Sequence, residues 1–278
     1  MKQTALRLRG TATVLALSAT AGLGACGPAL STQQEAQLGA EYATQINQQL
    51  PIVRDAAVNY YINQLGNSIA QRVDPHGFTY RFFVVNAPEV NAFALPGGYI
   101  YINRGLIERA DNLAELAGVL GHEIGHVVER HSAEQISKAQ GANTLAALVY
   151  GVLLNRQPGT LEQVGLQVGG SAVFAGFSRE AEREADRVAV DYMLRSGINP
   201  QGIPSFHQEL LAERQRSPSR LEQFFSTHPL SEERVQNTRQ VIASIPAARL
   251  RGLTTDTREF QEFKARVRQL PAAPQARR

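Results

Sequence analysis

The chain has 278 residues, 43% hydrophobic and 19% charged, with a formal net charge of +3. That composition suits one large or two small globular domains and excludes a disordered or fibrous chain. Lys2, Arg7 and Arg9 account for the excess charge, and the remainder is formally neutral, so no basic face invites nucleic acid.

The first segment, "MKQTALRLRGTATVLALSATAGLGAC", reads as an export signal over residues 1–25. It has a cationic start, an apolar stretch from Ala12 to Ala21 too short to span a bilayer, and small residues near a cleavage point. Leu23-Gly24-Ala25-Cys26 resembles a bacterial lipobox, in which the cysteine is acylated. Cys26 is the one cysteine of the chain, so no internal disulfide is open to it, and lipidation accounts for it better than packing does. Acyl chains add about 0.8 kcal/mol per buried methylene, enough for a durable anchor when several are present. Gly27 then points, by resemblance to lipoprotein sorting, to the outer membrane. The expectation is a lipid-anchored periplasmic protein with a tether over 26–30.

"STQQEAQLGAEYATQINQQL" opens with Ser31 as N-cap and Gln34 three residues on, a capping-box pattern, and Pro51 ends that helix. A second helix is expected from about Val53 to Val73, stopping at "DPHG". "FTYRFFVV", Phe78–Val85, reads as a strand. Asn91–Leu106 holds two extended runs around a Pro-Gly-Gly turn, a hairpin. Its edge, Asn91–Asn103, either takes an extended substrate through backbone hydrogen bonds or is structural only.

Asn112 caps the next helix, in which Leu113, Leu116, Leu120, Ile124 and Val127 recur at helical spacing as one buried stripe. Leu145 to Leu154 is apolar throughout but falls well short of the roughly 20 residues that span a bilayer. The Gly- and Gln-rich "NRQPGTLEQVGLQVGG" reads as a mobile loop. "FSREAEREADRVAVDYMLRSG" returns to helix, with Ser178 near its start and Gly197 just past its end. A last helix follows "STHPLSEERV", and the tail "LPAAPQARR" is expected to be loose.

"GHEIGHVVERH", Gly121–His131, carries three of the six histidines. On a helix His122 and His126 share one face, a turn apart, while Glu123 lies about 100° round. This is the His-Glu-x-x-His geometry: two metal ligands and a carboxylate beside the reacting water. A catalytic zinc needs a third protein ligand. "SREAEREAD" offers Glu180, Glu182, Glu184 and Asp186, of which Glu182 and Asp186 share a face. One of that pair binds metal while the other accepts a hydrogen bond from a ligand histidine. Glu180, Glu184 and the arginines 179, 183 and 187 read as a solvated charge run, whereas Ala181, Ala185 and Ala189 suit a closely packed helix pair.

At these residues the sequence resembles the zinc metallopeptidases that include HtpX, BepA and the CAAX prenyl proteases. "HEIGH", "SREAEREAD", the "NAF…PGG" segment Asn91–Gly98 and Thr227-His228-Pro229 match that family's motifs in order. The resemblance, which covers roughly Ser31 to Ile245, implies an α+β, mainly helical, zincin-like (gluzincin) domain, taken as 31–250, with a small β-sheet or hairpin beside the active-site helix; a C-terminal helix and disordered tail are expected over 251–278. It implies Zn²⁺ held by His122, His126 and Glu182, with Asp186 behind them and Glu123 as the base of peptide hydrolysis. The sequence shows neither the transmembrane helices nor the repeat domain of larger members, so it resembles the small periplasmic lipoprotein branch. Unfolded or misassembled envelope proteins are the implied substrates.

His228 has three readings: an oxyanion donor, a solvated loop residue or, by resemblance to BepA, a latch in the fourth position of the zinc. His76, His131 and His207 lack a partner pattern and read as surface residues. The alternative function is a periplasmic chaperone or assembly factor that binds extended clients at the hairpin and uses zinc structurally.

Overall fold

The computed structural model describes residues 30–138, 176–216 and 221–272. The signal-like start, Cys26, the apolar run Leu145–Leu154 and the Gly- and Gln-rich segment after it lie outside the described residues.

The first helix, α1 (Thr32–Gln49), starts on the expected capping box: the Gln34 N–H donates to Ser31 Oγ, and the Ser31 N–H to Gln34 Oε1. Asp55 caps α2 (Ala56–Ala70) by accepting from the N–H groups of Ala57 and Val58. This helix begins later than the sequence pattern suggests because Val53 is committed elsewhere, its N–H donating to the Val84 carbonyl of the sheet.

Three strands follow, β1 (Arg81–Val85), β2 (Ala92–Leu95) and β3 (Tyr99–Asn103). The expected hairpin is present: β2 and β3 run antiparallel, with Ala92 opposite Ile102. Added to it, β1 pairs with β3 in parallel, Arg81 opposite Tyr99, which puts β3 in the centre of a sheet ordered β1-β3-β2. The hairpin turn closes against α1. Gly97 and Gly98 have φ of 74° and 96°, and a Cβ on Gly97 would meet Ala36 Cα at 2.7 Å.

The two sheet edges differ. Asn63 of α2 brackets Phe82 of β1, donating from Nδ2 to the carbonyl at 2.8 Å and accepting from the N–H at 3.0 Å. At the other edge, the Asn103 N–H donates to the Asn91 carbonyl, and antiparallel alternation then turns the backbone groups of Ala92 and Ala94 away from β3.

After α3 (Arg104–Arg109) comes the central helix α4 (Leu113–Val128), followed by α5 (His131–Lys138). Every residue of α4 from Leu113 to Val127 is buried, not only the expected stripe. Small residues make this possible, because neighbouring helices come close on the remaining faces. The Asn112 side chain accepts from the Glu115 N–H as expected, but the Glu115 carboxylate reaches the Asp111 N–H.

The second chemistry-bearing helix, α6 (Arg179–Arg195), is capped by Ser178 and followed by Gly197 at φ 72°. It packs on α4 through the anticipated small residues: a Cβ on Gly125 would lie 3.3 Å from Ala185 Cα, and one on Gly121 would lie 3.5 Å from Ala189 Cβ. Beyond it lie α7 (Gly202–Arg216), α8 (Glu222–Thr227), α9 (Glu232–Ala243), a 3₁₀ turn (Ala247–Leu250) and α10 (Arg258–Arg268). The start of the tail is not loose. Leu270 packs against the core, and the Pro271 carbonyl accepts from the Arg104 guanidinium at 2.9 Å. Among the described residues no helix is long and apolar enough to cross a membrane.

Candidate metal centre

His122 and His126 sit one turn apart on α4, and their Nε2 atoms face each other at 3.0 Å. From α6, Glu182 approaches the same point, with Oε1 3.3 Å from His126 Nε2 and Oε2 3.5 Å from His122 Nε2. His228, which ends α8, closes the group, its Nδ1 lying 3.1 Å from Glu182 Oε1 and 3.4 Å from His122 Nε2. At 1% exposure His228 is not a solvated loop residue. Asp186, one turn along α6 from Glu182, turns instead to the back of His122, with Oδ1 2.9 Å from Nδ1.

Glu123 lies beside this group and is completely buried. Among the described residues neither of its oxygens has a hydrogen-bond partner, although His228 Nε2 stands 3.4 Å from Oε1. Burial raises its pKa, since an ionised carboxylate there loses its hydration.

One functional residue is absent from the sequence reading. Arg234 of α9 is buried and forks onto the two buried acids of α6: Nε and Nη2 donate to Asp186 at 2.8 and 2.7 Å, and Nη1 donates to Glu182 at 2.5 Å. The available signal was its place on the buried stripe of α9, with Val235, Thr238 and Ile242. For Glu182, burial opposes ionisation, but the charges of His228, Arg234 and His122 outweigh it and hold the carboxyl well below its ordinary range. Asp186 is likewise held low against its burial, chiefly by Arg234. His122 shows the reverse balance: burial disfavours its cation, yet Glu182 and Asp186 raise the imidazole to about 10. In His126 burial prevails and pushes the pKa well down.

Two histidines read as surface residues are buried. His131 lies with Nδ1 2.9 Å from His126 Nδ1. Helical spacing places it off the ligand face, but the helix breaks at Arg130, whose φ is 57°, and the chain turns back under His126. His207 of α7 is buried near Asp186, and loss of hydration lowers its pKa to about 3. His76 is half-buried, its Nε2 2.9 Å from the Val128 carbonyl. Glu184 of the supposed solvated run reaches His131 Nε2 at 3.4 Å, whereas Arg183 and Arg187 make exposed ion pairs as expected. Phe177 stacks on His126 with ring centroids 3.9 Å apart.

The donor chemistry fits a metal ion. One ligand atom from each of His122, His126, Glu182 and His228 falls within 4.8 Å of the others, and all four residues are buried. Clustered imidazole nitrogens and a carboxylate, shut off from water, suit a divalent cation of the zinc type. Residues 56–242 match the peptidase family M48. The chain belongs to peptidase family M48.

Among M48 relatives, the beta-barrel assembly-enhancing protease of Escherichia coli (strain K12) is 34% identical over 218 residues, covering 77% of this chain and 45% of the relative. The chain thus spans about half the length of the beta-barrel assembly-enhancing proteases it matches. Metalloprotease LoiP of the same organism is 34% identical over 182 residues, 64% of this chain and 66% of LoiP. Metalloprotease YcaL, also from Escherichia coli (strain K12), is 31% identical over 186 residues, 65% of this chain and 66% of YcaL.

Proposed function

We propose that this M48 chain is a zinc-dependent endopeptidase acting on misfolded or misassembled envelope proteins. In this reading His122, His126 and Glu182 hold the ion. What carries it is the convergence of these three side chains from α4 and α6 beside the buried carboxylate of Glu123, which has no hydrogen-bond partner among the described residues. Bound there, the cation supplies Lewis acidity, acidifying water and polarising a peptide carbonyl. Glu123 takes a proton from the attacking water at a carboxylate oxygen and delivers it to the departing amine nitrogen. Its raised pKa suits the second half of that task. Asp186 accepts from His122 Nδ1–H and so leaves Nε2 as the ligand atom, while Arg234 holds Glu182 and Asp186 in register.

Extended substrate adds along β2, where the backbone groups of Ala92 and Ala94 face away from β3. Asn91 supports this. Its side chain is buried at the start of that edge, and among the described residues both its amide nitrogen and its oxygen lack partners. A peptide group offers the matching acceptor and donor.

His228 acts as a latch. It stands between Glu182 and Glu123 and occupies the space that a substrate carbonyl and water need. The same placement favours a second reading, a closed four-donor structural site in a chaperone. Against it stands Glu123, for which a structural site has no use.

The envelope role rests on the name of the beta-barrel assembly-enhancing proteases. The periplasmic location, outer-membrane anchoring through Cys26 and a tether over 26–30 rest on the signal-like and lipobox-like start, and the limits 31–250 and 251–278 on the reach of the M48 motifs, with the family match over 56–242. The deciding experiment compares three purified chains for zinc content and for cleavage of unfolded casein. Wild type cleaves and loses activity to a chelator, Glu123→Gln keeps zinc without cleaving, and Glu182→Ala loses zinc. Undiminished cleavage by Glu123→Gln sinks the mechanism, and stoichiometric zinc in Glu182→Ala sinks the ligand assignment.

A further inference from the structure

The two α4 imidazoles are backed differently. Behind His122 stands a carboxylate, that of Asp186. Behind His126 stands another imidazole: the two Nδ1 atoms of His126 and His131 are 2.9 Å apart, both rings are buried, and His131 Nε2 lies 3.4 Å from Glu184 Oε2. Two imidazole nitrogens at that separation share one proton, one donating and the other accepting. When His126 presents Nε2 as a ligand, its proton sits on Nδ1. His131 Nδ1 is then the acceptor, and the proton of His131 sits on Nε2, facing Glu184.

The backbone is bent to bring this about. Arg130 is the one non-glycine among the described residues with positive φ, a conformation that disfavours L side chains by about 1 kcal/mol. Its guanidinium is anchored on α1, where Nε donates to the buried Glu35 carboxylate at 2.7 Å and Nη2 donates to the Leu30 carbonyl. This left-handed residue ends α4 and turns the chain so that His131, five positions on, lies beside His126. The ring of Phe177, stacked on His126, restricts the same imidazole.

We propose that His131 is a positioning residue of the metal centre. It fixes the Nδ1–H tautomer and the orientation of His126, and Glu184 fixes His131 in turn. The inference rests on the metal reading given above. It differs from simple packing in what it demands at position 131: a hydrogen-bond acceptor at the place of Nδ1. Asparagine supplies one, because its Oδ1 is as many bonds from the backbone as Nδ1 of histidine. Leucine has similar shape and no acceptor. Glutamine carries its acceptor one bond too far.

The test strips the purified full chain of metal and titrates it with zinc against a chromophoric chelator, then with cobalt to follow the d–d absorption bands. Melting curves of the metal-free chains check folding. His131→Leu and His131→Gln are expected to bind zinc about 10–100-fold more weakly than wild type, and His131→Asn to stay within about threefold. The cobalt bands shift in the first two variants and not in the third. Equal affinity across wild type and all three variants overturns the proposal, as does a weakness shared by the asparagine, glutamine and leucine chains alike. A wild type that takes up no zinc sinks the metallopeptidase reading as well, which separates the two failures.

Discussion

Glu123 and Asn91 are both buried polar side chains without hydrogen-bond partners among the described residues, a state that costs about 1–3 kcal/mol each unless something else meets them. In a folded chain that cost persists where function requires it. For Asn91 this yields a discriminating test. An amide that holds the fold together destabilises the protein when removed, whereas one reserved for substrate does not. Asn91→Ala is therefore expected to leave the melting temperature unchanged and to lower kcat/KM on an unfolded substrate by about tenfold, the worth of one hydrogen bond. A lower melting temperature with unchanged kcat/KM returns Asn91 to the scaffold. His228 is testable at the same scale. If it holds the site closed in about nine molecules of ten, His228→Ala raises casein cleavage roughly tenfold by freeing the remainder. A fall in activity instead assigns it to oxyanion stabilisation. Helical spacing alone made His122, Glu123 and His126 legible, because all three lie on one regular element. Arg234 and His131 were not, because each acts across a gap that local periodicity does not describe.

At the scale of elements, the centre depends on how closely α4 and α6 approach. Gly121 faces Ala189 and Gly125 faces Ala185 and Val188, and the approach is tightest at Gly125. A Cβ on Gly125 already meets Val188 Cγ2 at 2.9 Å. Gly125→Val is expected to cost about 1–3 kcal/mol through overpacking and to weaken zinc binding by parting His126 from Glu182. Calorimetry and the chelator titration read the two effects, and an unchanged zinc affinity shows that the site tolerates a wider helix pair. The alanine spacing of α6 announced this contact. Nothing in the sequence announced the parallel pairing of β1 with β3, because β1 is joined to β3 only through the segment 86–91 and β2, and no tight turn between the two strands sets their register. The start of α2 moved for a related reason. Val53 is β-branched, and its N–H donates to the Val84 carbonyl of the sheet.

For the molecule as a whole, location and chemistry rest on different stretches. The proposed anchor rests on Cys26, and labelled palmitate is expected to enter wild type and not Cys26→Ser; equal labelling removes the lipid-anchor proposal and leaves the peptidase proposal intact. Length, near-neutral charge, the capped helices, the hairpin and the pairing of "HEIGH" with "SREAEREAD" follow from the order of residues, since each is a local pattern of spacing and side-chain chemistry. Spacing narrowed the third ligand to the face shared by Glu182 and Asp186, and resemblance then chose Glu182. Tertiary structure alone decided the rest. It turned Glu182 toward the imidazole nitrogens and Asp186 behind one of them, drew Arg234 between the two acids, sealed His228 beside Glu123 and folded His131 back under His126. Those relations join residues 48 to 105 positions apart, or five positions apart across a broken helix, and no pattern within one element encodes such distances.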